Sequence, residues 1–211
     1  MKKSTTAIII AALCLCASFI FSGCTSVPEP KNTEDSLLYG NVYFNFSCIP
    51  NNYGIPESST KKDGIEVKFQ NIKTKRLITM TTNHKGEFMR KNIPSGTYII
   101  YSLKAKVNYG NGYEDEYEAK FDKYKTTNFH FMPLANSVVN LGTIDLNISI
   151  TDINYYIWHV EWDKGFSDSY TKFCSEHENS GWINKNWYTR DESLEKGRQH
   201  KNDGINSQPQ E

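Results

Sequence analysis

The 211 residues carry 24 basic and 24 acidic side chains, so the chain is formally neutral at pH 7. That balance argues against a nucleic-acid partner, because neutralising phosphates needs a concentrated basic surface. Aromatics make up 13% of the chain, with 13 Tyr and 11 Phe, which favours strands, and the length suits one domain with appendages, large enough to bury a core without disulfides.

Lys2 and Lys3 precede an apolar run over residues 7–21 that ends in Phe21-Ser22-Gly23-Cys24. The run is shorter than the roughly 20 residues a spanning helix needs and suits a signal-peptide core. Small residues directly before Cys24 resemble the bacterial lipobox, with Phe21 standing where that pattern usually has Leu. The resemblance implies a signal over residues 1–23, cleaved before Cys24, with lipid added to Cys24 and its new amino group. Two or three chains anchor firmly where one is marginal, each buried methylene contributing about 0.8 kcal/mol. The implied location is the bacterial cell envelope, and Thr25 rather than Asp after Cys24 goes with the outer membrane in such lipoproteins. The alternative is a plain secretory signal with an incidental cysteine. Losing the signal leaves 22 basic against 24 acidic residues, so attachment rests on the lipid rather than on a polybasic patch. Residues 24–36, rich in Pro and charge, read as a flexible tether.

From Leu37 the period becomes two. Val42, Phe44, Phe46 and Cys48 alternate with Tyr43, Asn45 and Ser47, and a polar surface loop follows over residues 49–63. Ile65, Val67 and Phe69 form a second alternation, and a strand near residues 76–82 has no clear inward phase. Asn83, Lys85 and Gly86 make a turn before the anchor Phe88, and Ile93-Pro94-Ser95-Gly96 reverses the chain again before Tyr98. Ile99, Tyr101, Leu103, Ala105 and Val107 alternate up to a hairpin at Asn111-Gly112. Tyr113, Tyr117, Ala119 and Phe121 return opposite Glu114, Glu116, Glu118 and Lys120, then come Phe129 and Phe131, and Ile144, Leu146, Ile148 and Ile150. Seven or eight strands at this spacing over residues 37–150 predict a mainly β, antiparallel sandwich.

The segments Thr82-Asn83-His84-Lys85-Gly86-Glu87-Phe88 and Ile93-Pro94-Ser95-Gly96-Thr97-Tyr98, with Leu141-Gly142-Thr143-Ile144 as a last strand, resemble the carboxypeptidase regulatory-like, prealbumin-like (transthyretin-like) family. The resemblance implies a prealbumin-like β-sandwich and says almost nothing of function, since such domains serve many roles.

All four tryptophans, Trp158, Trp162, Trp182 and Trp187, lie in the extension over residues 151–190. A further strand is expected around Trp158 to Trp162, then a short helix capped by Ser167 or Asp168, with Tyr170, Phe173, Cys174 and His177 on one face. Two readings stand for the indoles: filling the space between a flap and the sandwich, or forming an exposed platform for a sugar, peptide or partner protein. Residues 191–211 show no periodicity and are expected to be disordered. Cys48 and Cys174, the two cysteines left after signal removal and lipidation, read either as a disulfide or as two apolar thiols.

His159 and Glu161 share a strand face, and Cys174 lies three residues before His177, but neither HExxH nor a zinc knuckle is present. No catalytic residue, metal ligand or cofactor is therefore assigned. The expectation is a lipid-anchored, non-catalytic protein of the envelope that binds a glycan, peptide or envelope protein, or serves structurally. The alternatives are a hydrolase or metal-dependent enzyme using the His159 and His177 region, and an accessory subunit of an envelope complex.

Overall fold

A computed structural model describes residues 27–48, 58–108, 114–121, 130–152, 155–163 and 166–206. The signal segment with Cys24, the Asn111-Gly112 hairpin tip, Tyr113 and Phe129 lie outside the described residues. The fold is mainly β, with two sheets that pack across a shared core. In the first, β1 (Leu37–Cys48) and β9 (Ser137–Asp152) run parallel at the centre. Beyond β1, β2 (Ser58–Lys61) and β5 (Glu87–Lys91) pair antiparallel with its two halves. Beyond β9, β10 (Tyr155–Asp163) is antiparallel and β11 (Asn186–Thr189) parallel. The second sheet is antiparallel, in the order β4 (Leu77–Thr81), β3 (Glu66–Asn71), β6 (Tyr98–Asn108), with β7 (Glu114–Lys120) and β8 (His130–Phe131) on the far side of β6.

Among the described residues nine strands begin within residues 37–150, where seven or eight are expected, the extension adds the expected strand as β10 together with β11, and the sheets are not wholly antiparallel. Alternation reports which face a residue occupies, not which strand lies beside it or in what direction. The chain between β1 and β9 builds the whole second sheet as well as β2 and β5 of the first, and that long excursion is what allows the central pair to be parallel.

The predicted phases hold for most strands. Val42, Phe44 and Phe46 from β1 and Ile144, Leu146 and Ile148 from β9 meet Val67, Phe69, Leu103, Ala105 and Tyr117 in the core. On β4, whose phase the sequence leaves open, Ile78 and Met80 point inward. The exception is β6. Lys68 pairs with Ser102 but Phe69 with Ile100, so Tyr101 is an extra residue that resets the alternation. Tyr98 and Ile100 therefore face the core, where Ile99 and Tyr101 are expected.

A second apolar cluster lies on the outer side of the first sheet, where Leu37, Tyr39 and Val138 are covered by Val27, Phe173 and Trp182. This explains the unbroken run Leu37-Leu38-Tyr39, all buried, since both faces of β1 are covered there. The cover is a flap made of helix α1 (Phe166–Glu176) and a 3-10 turn (Gly181–Asn184).

Two expectations of disorder are corrected. Residues 27–36 are packed rather than a free tether: Trp182 Nε1 donates to Pro28 O at 2.7 Å, and Gly181 N donates to Glu29 Oε2 at 2.7 Å. Asp35 closes this segment by accepting from the Lys31 and Asn32 amides and from Asn92, and by pairing with Lys91 at 2.5 Å. Residues 190–206 form helix α2 (Arg190–Asn206) rather than a disordered tail. Thr189 and Glu192 build its capping box, Glu192 N donating to Thr189 Oγ1 at 3.2 Å and Thr189 N to Glu192 Oε2 at 2.8 Å. This helix has little apolar periodicity because it docks through small residues: Ser193 is buried, and Gly197 lies so close to Met132 that a Cβ would stand 1.9 Å from the sulfur.

Candidate functional site on the outer face of the first sheet

The flap covers only one half of the outer face, and the other half is open. Its side chains come from the outward phase of β1, β2, β9 and β10, which pairing brings into rows: Thr60 beside Asn45, Asn45 beside Asn147, Asn147 beside His159. Thr60 Oγ1 donates to Asn45 Oδ1 at 3.0 Å, and Asn45 Nδ2 donates to Asp145 Oδ1 and Asn147 Oδ1 at 3.1 and 3.2 Å. One row further, the Ser47 and Ser149 hydroxyls lie 3.1 Å apart. Neighbouring strands are about 4.8 Å apart, so these rows form a polar ladder fixed by its own hydrogen bonds.

Where the open half meets the flap, the sequence buries charge. Glu87 opens β5 opposite Asn41. It is set there by a turn in which Asn83 Oδ1 accepts from the Lys85 and Glu87 amides and Gly86 takes φ +83°, a conformation side chains other than glycine rarely adopt. The Glu87 side chain is 0% exposed and accepts from Tyr39 OH at 3.1 Å and Asn83 Nδ2 at 2.9 Å. His177 extends α1 by a helical bond from its amide to Phe173 O. Its wholly buried Nε2 points toward Glu87 Oε1 at 3.6 Å and has no hydrogen-bond partner. Glu176 sits beside it with Oε2 3.2 Å from Lys85 Nζ. One ligand atom from each of Glu87, Glu176 and His177 lies within 4.8 Å of the other two.

Around this trio, Lys172 Nζ donates to Asn41 Oδ1 and Tyr43 OH at 3.1 and 3.2 Å, and Ser169 joins Asn41 to Asn140. Burial pushes the Glu87 carboxyl up, but the hydrogen bonds from Asn83, Glu176 and Tyr39 and the His177 charge outweigh it and hold Glu87 below the ordinary carboxylate value. Burial, reinforced by the Glu87 charge, drives the Tyr39 phenol far upward, so Tyr39 stays a neutral donor. An open groove of about 680 Å³, lined by Val27, Pro28 and Glu29 and by the chain around Glu176 and His177, reaches these two members of the trio.

No family model, curated protein or solved structure matches this chain.

The residues singled out in the sequence scatter. Trp182 is 0% exposed inside the flap, and Trp187 packs beside it, its Nε1 donating to Trp182 O at 2.9 Å. Trp162 and Trp158 belong to the other side of the first sheet: Trp162 packs against the main core and Trp158, 37% exposed, sets its ring 5.7 Å from Phe121. The four indoles therefore form no common platform, and packing accounts for most of their surface.

Cys174 is a free thiol beside the Tyr170 hydroxyl. Cys48 ends β1, whereas Cys174 follows Phe173, which contacts Tyr39 near the start of that strand. From residue 39 to residue 48 a strand extends roughly 30 Å, far beyond the span of a disulfide. His159 and Glu161 stand exposed on β10, their closest atoms 3.9 Å apart, on the far side of β9 from β1 and β5, and neither they nor Cys174 line the groove that His177 lines. These four do not share a cleft.

Sequence reading reaches His177 but passes over Glu87 and Glu176. Glu87 sits inside a turn motif and reads as turn chemistry, and Glu176 is one more charge at a helix end. Only the docking of α1 on β1 and β5 brings the three together.

Proposed function

We propose that this chain is a lipid-anchored bacterial envelope protein that binds a glycan through the open half of its first sheet. The polar ladder of Asn45, Asn147, Ser47, Ser149 and Thr60 carries this reading. Apart from the Asp145 carboxylate that accepts from Asn45, its groups are uncharged, offer donors and acceptors side by side, and are held in place before any ligand arrives, which limits the entropy lost on binding. A polyhydroxylated chain matches that mosaic, while an apolar peptide or a phosphate backbone does not. The sandwich acts as a prealbumin-like carrier, and lipid on Cys24 holds it at the outer membrane, with the packed residues 27–36 keeping the domain close to the anchor.

Two experiments test the two halves of the reading. The full chain in detergent is mixed with insoluble peptidoglycan and other envelope glycans and sedimented. Wild type pellets with one of them, and the Asn45→Ala, Asn147→Ala double variant does so at least about tenfold less well, as loss of several polar contacts requires. Equal sedimentation of both forms, or none by either, rejects the ladder. For the anchor, cells given an alkyne-bearing fatty acid label the wild-type chain but not Cys24→Ala, which leaves the membrane fraction. Labelling of both rejects lipidation at Cys24.

A further inference from the structure

We infer that Glu87, Glu176 and His177 form a site for one divalent transition-metal ion of zinc type, separate from the polar ladder. Three donor atoms from two elements distant in sequence converge within 4.8 Å. The distance of 3.6 Å between Glu87 Oε1 and His177 Nε2 is too long for a hydrogen bond, whose mode is about 2.9 Å. It is close to the edge of a tetrahedron around an ion with bonds of 2.0 to 2.1 Å, which measures about 3.4 Å.

Burial supplies a second, independent reason. Glu87 is a fully buried carboxylate that accepts from the neutral Tyr39 and Asn83 and stands against the Glu176 carboxyl, and among the described residues no lysine or arginine is within ion-pair distance of it. The His177 Nε2 facing it is buried and unpartnered. Each alone is costly. A cation between them satisfies both.

The surrounding charges fit this assignment. Glu176 holds Lys85 with Oε2, and its carboxyl also lies against Glu87, the other carboxylate of the trio. Lys172 is engaged by Asn41, Tyr43 and the Lys85 carbonyl. Tyr39 and Asn83 orient the Glu87 carboxylate as outer-shell donors do in metal sites. Two carboxylates and one imidazole leave one coordination position for water from the groove. They suit zinc and not calcium, which takes six to eight oxygen ligands.

The test uses the full chain in detergent, stripped with a chelator and titrated calorimetrically with zinc chloride and, separately, calcium chloride at neutral pH. One saturable zinc equivalent and no calcium binding are expected, with a rise in thermal midpoint on adding zinc. Glu176→Gln weakens zinc at least about tenfold and His177→Gln abolishes it, since each removes a direct ligand. Cys174→Ser and His159→Gln bind as wild type, which separates the site from the free thiol and the exposed imidazole. Absence of a saturable zinc equivalent in the wild type overturns the site and leaves a Glu87 to His177 ion pair in its place. Binding that persists in both ligand variants overturns it equally. Glu176 lies at the exposed end of α1, so its variant decides the matter even where His177→Gln fails to fold.

Discussion

Trp182→Ala is the sharpest probe of the outer flap. The Trp182 indole is 0% exposed and sits between Leu37, Tyr39 and Val138 below and Val27 and Pro28 above. A buried Trp removes about 150 to 250 Å² from water, which at about 25 cal/mol per Å² gives roughly 4 to 6 kcal/mol as an upper bound. The Nε1 bond to Pro28 O adds about 1 kcal/mol. Alanine keeps a little of the apolar area, so the expected loss is about 4 kcal/mol, within the range for large-to-small core changes. Trp158, 37% exposed and touching Phe121 at its edge, is the matched control, with an expected loss of about 1 to 2 kcal/mol on truncation. Denaturant unfolding of both variants, followed by circular dichroism, gives the two values. Hydrogen exchange then separates global from local opening: Trp182→Ala exposes the amides of α1 and of residues 27–36 before those of β1 and β9. Equal losses in the two variants, or unchanged exchange over residues 27–36, would refute the packed flap.

Three further outcomes follow from single contacts. The Lys91 ammonium beside Asp35, helped by Asn92 and the Asn32 amide, holds the Asp35 carboxyl well below its ordinary value, so its contribution is complete above about pH 4 and is lost as pH falls below it. Asp35→Asn is thus less stable than wild type at pH 7, and the gap in thermal midpoint narrows steadily below about pH 4; a gap independent of pH contradicts the assignment. Thr189→Ala removes the capping box and costs about 1 kcal/mol, read as faster amide exchange in the first turn of α2 with β1 unaffected. Gly197→Val forces α2 off Met132 and costs about 1 to 3 kcal/mol in denaturant unfolding, and Met132→Ala in the same chain restores part of it; an additive double variant would mean that the two do not touch.

Several of these features are readable in the chain and others are not, for definite reasons. The inward phases of β1, β3, β7 and β9 follow from alternation because one face of each meets the core. On β6 the same logic fails at Tyr101, since a bulge is set by the partner strand and leaves no local mark. The capping box of α2 is written plainly as Thr189-Arg190-Asp191-Glu192, but a search for apolar periodicity hides it, because Ser193 and Gly197 dock the helix by smallness. Residues 27–36 look like a tether because Pro and charge dominate their composition. Their order comes from Asp35 and Trp182, whose partners lie far along the chain.

The position of the Glu87, Glu176 and His177 trio gives these observations a common consequence. Strand β1 has one outer face, of which Leu37 and Tyr39 are covered by the flap while Asn45 and Ser47 remain open. Asn41 and Tyr43, between them, are bonded to Ser169 and Lys172 of α1, so the helix ends its cover where the ladder begins. Glu87 is fixed to β1, whereas Glu176 and His177 travel with α1, so an ion shared by the three ties the flap to the sheet. Binding to the closed form alone then stabilises it by mass action, while the ladder, held by its own hydrogen bonds, needs no such help. Zinc is accordingly expected to slow exchange in α1 more than in β2 and β10, and equal protection of both halves would place the ion elsewhere.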